Sequence, residues 1–264
     1  MESSTSPDQV YLGAIQSTYE DLDRWQARAA APEPPQRGSE LAVDDQVFPR
    51  HPISEVARTS LMLASEHLRL ARDSIDAGQW YPSAHFTVLR SALVGAAQGV
   101  WILGSDDRAE RRERGLTVLA EIHAKMRAYY RRVQGFTLSD EERRGLREQQ
   151  KWLTARIEQV AAVRTGAAEL NLTDTVIPAA LDLVFPDAPR RRDGRALWNL
   201  MSADAHVLGW STATRGQTGS VDRASGLAVT VIGGSPSHVA QPFIASHRLL
   251  RAGWSLFDRR CEAP

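Results

Sequence analysis

The residue best placed to do chemistry in this sequence is Arg90, inside PSAHFTVLRSALVGAAQGVWIL (82–103), a stretch apolar on nearly every side. Such a segment reads as a buried central helix, and a guanidinium within it keeps its charge. It needs an acid, a set of acceptors or an anionic ligand, because an unpaired charge held away from water is costly. Its planar fork of donors suits a phosphate or a carboxylate.

A second set of polar residues lies further along the chain. Asn199, Ser202, His206 and Trp210 recur at spacings of three and four, so on a helix they share one face. Asp204 falls on another face, with Leu197, Met201 and Leu208. An acid on an apolar face mirrors Arg90, and Asp204 is its expected partner, with Glu66, Asp73 and Glu121 as alternatives. A closed pair of this kind is structural, fixing which helix faces which while adding little net stability. An open one leaves a polar pocket for an anionic small molecule or a partner segment. The candidate binding residues are Arg90, Ser202, His206, His67, Asp204 and Trp210. Taken singly, His67, His123 and His247 read as satisfied core histidines on helical seams.

Other chemistry is argued against by absences. The sequence holds no G-x-x-x-x-G-K-[ST] and no G-x-G-x-x-G, which removes the usual phosphate-cradling loops. It has no H-E-x-x-H, no paired cysteines, and no His with a Glu three residues before it, so no metal and no cofactor is expected. The nearest approach to a nucleophile elbow, Gly233-Gly234-Ser235, has Ser237 where the second glycine belongs.

Among the 264 residues, 32 basic and 32 acidic side chains cancel, so no global field gathers a polyanion, and the charges leave nucleic acid binding undecided. The distribution is uneven. Residues 1–55 hold ten acids against four arginines, which suggests an acidic N-terminal arm lying against a basic body. Arg108, Arg111, Arg112 and Arg114 alternate with Glu110 and Glu113 in the pattern of a solvated helix face, whereas Arg190, Arg191, Arg192 and Arg195 form a purer patch at a helix start. The single cysteine, Cys261, and an N-terminus without a basic, then apolar leader point to the cytoplasm. Only thirteen uncharged residues follow Arg90 in its stretch, short of the roughly 20 needed to span a bilayer, so no membrane association is expected.

These residues have to be positioned by helices. Asp8–Ala31 reads as one amphipathic helix, and the Pro-rich APEPPQRGSELAVDDQ after it reads as a linker. The domain expectation is therefore an appended helix and linker over 1–50 and a helical bundle over 51–264. Within the bundle, helices are expected from Pro52 to Gly78, over 82–103, from a Ser105 cap to Gly135, and from the Ser139/Glu142 capping box onward. A short apolar piece broken at Pro178 and a helix over 191–208 follow. Ser235 and Pro236 open the last helix. Between them, the Gly/Ser-rich run ending in LAVTVIGG is the one β-like stretch, read as a loop or small hairpin. Ser91, Gly95 and Gly99, with Ala92 and Ala96, give the central helix a smooth face for a close helix crossing. The fold class is all-α, six or seven helices around 82–103.

HFTVLRSALVGAAQGVWIL, DDRAERRERGL and SADAHVLGW together resemble uncharacterised bacterial helical proteins of HEPN-like outline over residues 52–210. That resemblance implies a helical bundle and, for many members, metal-independent ribonuclease activity in defence or toxin systems. It would make His206 the general acid or base and Arg90 the stabiliser of phosphate charge. The catalytic hallmark of that group, an Arg and a His separated by four to six residues in that order, has no match in this sequence. His85 and Arg90 carry it reversed, about 140° apart on a helix. The leading expectation is a non-enzymatic binding or regulatory protein with an anionic-ligand or partner pocket. The alternatives are the HEPN-like ribonuclease and a structural protein that oligomerises or meets a partner through its N-terminal helix.

Overall fold

The computed structural model describes residues 6–264, in which eleven α-helices and one two-residue-deep hairpin are found. The chain opens with α1 (Pro7–Gln16) and α2 (Tyr19–Ala29) where one helix was expected. The break falls at Ser17 and Thr18, whose hydroxyls turn back onto the carbonyls of Ala14 and Ile15 and so compete with helix continuation. After the proline-rich turn come α3 (Glu40–Asp44) and the long α4 (Ile53–Asp76). The central stretch forms α5 (Ala84–Leu103).

Next are α6 (Arg108–Val133) and α7 (Asp140–Val163), an antiparallel pair. The cap of α6 is Asp107, which accepts from the amide of Ala109; the expected cap, Ser105, instead bonds Glu110 and the amide of Asp107. The Ser139/Glu142 capping box opens α7 as its sequence predicts. A π-helical turn over Leu172–Val176 leads into α8 (Ile177–Val184). Pro178 starts this helix rather than breaking it, because in the first turn its missing N–H has no intrahelical acceptor to lose. α9 (Ala188–Ala205) and the single turn α10 (Trp210–Ala213) precede the antiparallel strands β1 (Gln217–Thr218) and β2 (Thr230–Val231), the small hairpin expected. Ser235 caps the last helix, α11 (Pro236–Cys261).

The result is an all-α bundle around α5, which packs against α4, α11, α9, α8 and α6. The helix count exceeds six or seven because the N-terminal segment splits and α3, α8 and α10 are added. By length and composition α5 could cross a membrane, but 61% of its apolar window is buried inside the bundle, which accounts for its hydrophobicity. The glycine face works as expected. A Cβ at Gly95 would stand 2.6 Å from the Ser60 carbonyl oxygen, so α4 and α5 cross at backbone contact.

Residues 6–50 are not suspended from the body on a linker. Ile15, Leu22, Trp25, Leu41 and Phe48 are buried in the same core as α4, α5 and α11. Charge fastens this layer too. Arg111, read in the sequence as part of a solvated face, is 1% exposed and donates from Nε to Asp44 at 2.8 Å and from Nη1 to the carbonyls of Ser105 and Asp106. Arg28 bonds both Glu33 and Asp258, and Arg260 bonds Glu40 and Asp106. The acidic arm does meet basic groups of the body, Asp44 of α3 meeting the buried Arg111 of α6 and Glu40 of α3 meeting Arg260 of α11.

Candidate functional site

The polar residues of α5 and α9 meet where the N-terminal half of the first passes the C-terminal half of the second. Arg90 donates from Nε to the Ser202 hydroxyl at 3.1 Å, and its guanidinium lies 4.7 Å over the Trp198 ring. Trp198 precedes Ser202 by one turn, so both reach the same side of Arg90. Burial pushes the Arg90 pKa down from its ordinary value. Among the described residues no acid pairs with it, and its two terminal amino groups make no hydrogen bond to the protein.

The expected Arg90–Asp204 pair does not form. Asp204 is buried and bound by Arg215, which follows α10, with Nη2 at 2.6 Å from each carboxylate oxygen. Arg215 is fixed on every side: Nε donates to the Ser211 carbonyl at 3.0 Å, Nη1 to the Pro82 carbonyl at 2.8 Å, and its plane lies 3.8 Å over the Phe86 ring. The insertion before α11 thus supplies the counter-charge that α5 was expected to supply. The alternatives Glu66, Asp73 and Glu121 form no ion pair with Arg90 either.

His206 and Trp210 do not share a face with Ser202, because α9 stops at Ala205. Val207 takes a left-handed conformation (φ 58°), and the amides of Val207 and Leu208 bond back to the carbonyls of Asp204 and Ala203, the hydrogen-bond pattern of a Schellman motif. A β-branched residue at positive φ is strained, and His206, Leu208 and Trp210 around it are exposed to solvent. His67 is half-buried on α4, a helix without extensive contact with α9. The structure therefore brings together Arg90 and Ser202, sets Asp204 beside them in another pair, and leaves His206, Trp210 and His67 apart.

Three members of the region escaped sequence reasoning. Trp198 had a signal, its one-turn spacing from Ser202. Arg215 had none, since it sits in a Gly/Ser-rich run. His85, known only for its spacing from Arg90, is 2% exposed between the rings of Trp80 and Tyr81, with Nδ1 about 3 Å from the Tyr81 backbone and Nε2 without a partner among the described residues. Burial holds its pKa below the usual histidine value. No group of three or more His, Cys, Asp or Glu residues suited to a metal occurs among the described residues.

Comparisons of the chain with protein-family models, with curated proteins and with solved structures find no match.

Proposed function

We propose that this is a non-enzymatic binding or regulatory protein of the cytoplasm in which Arg90 receives an anionic small molecule or an anionic group of a partner. The supporting observation is the state of Arg90 itself: half-buried, oriented by Ser202, backed by Trp198, and, among the described residues, without a carboxylate. A guanidinium stripped of part of its water and left with two free amino groups is poised to accept a phosphate or carboxylate in a bidentate fashion. Asp204 would normally compete for that role, but Arg215 already neutralises it.

Thermal unfolding in the presence of inorganic phosphate, pyrophosphate and acetate tests the reading, since a ligand that binds the folded state raises its midpoint. One of these anions should stabilise the wild type, and Arg90→Ala should weaken binding by about 10- to 100-fold, the loss of a charged hydrogen bond of roughly 1.5–3 kcal/mol. Arg90→Lys keeps the charge without the fork and should fall between. A response identical in wild type and Arg90→Ala would end the proposal. Cleavage of mixed RNA that is lost in His206→Ala would replace it with the ribonuclease that the HEPN-like resemblance implies.

A further inference from the structure

α11 turns its outer face, from Gln241 to Arg259, toward a trough bordered by α1, α8 and α9. Three clefts of about 350, 370 and 520 Å³ follow one another along it. The first and second share Phe185, Arg190 and Arg248, and the second and third share Val184, Ala252 and Ser255, so the three adjoin along α11. At 1.5 Å per residue, the stretch of α11 beneath it is about 27 Å long. That exceeds the reach of one small molecule and matches five turns of helix.

The lining has two characters. The floor is apolar, with Leu197 and Ile244 in the first cleft and Leu183, which is 53% exposed, in the third. The banks are basic, with Arg190, Arg248, Arg251 and Arg259 along their length. Arg190 has Asp187 at 3.3 Å and Arg259 has Asp106 at 3.7 Å, but Arg248 and Arg251 form no ion pair among the described residues. Among the described residues the acids in the lining are Asp193 and Asp106, and the second is already bonded to Arg260.

We infer that this trough docks an acidic amphipathic helix of a partner protein. A row of leucine-like side chains at helical spacing would cover the floor, and carboxylates flanking that row would meet Arg248 and Arg251. Arg90 lines none of the three clefts, so the inference is independent of the anion site described above.

Fluorescence anisotropy with synthetic peptides of about 18 residues tests it: one with Leu at helical spacing flanked by Glu, one with the same composition scrambled, and one with Lys in place of Glu. The Glu helix should bind the full chain at least about tenfold more tightly than the scrambled peptide, and the paired charge reversals Arg248→Glu and Arg251→Glu should abolish that preference and transfer binding to the Lys helix. Arg90→Ala should leave the Glu helix bound as before. Both reversed residues are exposed, and an unchanged unfolding midpoint checks that the fold is intact. Equal binding of ordered and scrambled peptides, or indifference to charge reversal, overturns the inference. So does binding of anionic lipid vesicles with no binding of the Glu helix, which would make the trough a membrane-facing surface.

Discussion

The Nη2 atom of Arg215 lies 2.6 Å from both carboxylate oxygens of Asp204, in a place where the side chains of both residues are less than a tenth exposed. This contact decides the character of the site. It occupies Asp204, the acid expected to pair with Arg90, and it ties the insertion before α11 to the entry of α5 through the Pro82 carbonyl.

Removing one partner of this pair strands a buried charge. Arg215→Ala and Asp204→Ala should each destabilise the fold by about 3–5 kcal/mol, whereas the double variant should lose much less than the sum. Urea denaturation of the three variants measures this. Additive losses would show that the pair is not coupled.

The glycines of α5 differ from those exposed elsewhere. Gly95→Ala places a methyl against the Ser60 carbonyl and should destabilise by about 1–3 kcal/mol, despite the higher helix propensity of alanine. Gly145 in α7 has open space around it, and Gly145→Ala should stabilise by about 0.5–1 kcal/mol. Unfolding midpoints of the two variants should move in opposite directions.

His123 on α6 is 2% exposed, faces His51 and Trp152, and leaves its Nδ1 without a partner among the described residues. Burial first, then the charges of His51 and Arg156, pull its pKa down from 6.5 to about 4. Between those values the unfolded chain binds a proton that the folded chain refuses, so stability is full above pH 6.5 and falls as the pH drops toward about 4. Urea midpoints at neutral and mildly acidic pH should separate less in His123→Leu than in the wild type. An equal separation would assign the acid sensitivity to other groups.

α7 packs on α6 and has no comparable contact with another helix; only Leu153 and Val160 of its 24 residues are buried. Its amides should exchange with deuterium well before those of α5, in a local opening that leaves the core intact. Simultaneous exchange of the two helices would mean that the hairpin opens only with the whole bundle.

The sequence foretold what depends on local pattern. The apolar span of α5, the Ser139/Glu142 box and the Ser235–Pro236 start each leave a short-range signature, and each forms as read. Arg90 and Ser202 were brought together by pattern as well, 112 residues apart. What stayed hidden depended on the competition among distant charges. Nothing near Arg215 announces that it, rather than Arg90, reaches Asp204. The alternation of Arg and Glu around Arg111 looks solvated until Asp44 is brought to it by tertiary contact. The end of α9 was misread for another reason: Val207 adopts a backbone conformation that its residue type disfavours.

The position of α11 bears on how the chain comes to be folded at all. It covers α5 and α4, and through Trp254, Arg260 and the Gln36 amide bond to Cys261 it also holds the N-terminal layer. A ribosome releases the helices in order, so α5 and its glycine face emerge long before their cover does. Until the 26 residues of α11 have been made, α5 lacks one of the two helices that pack against it most, α4 being the other, and that side of its apolar surface stays open.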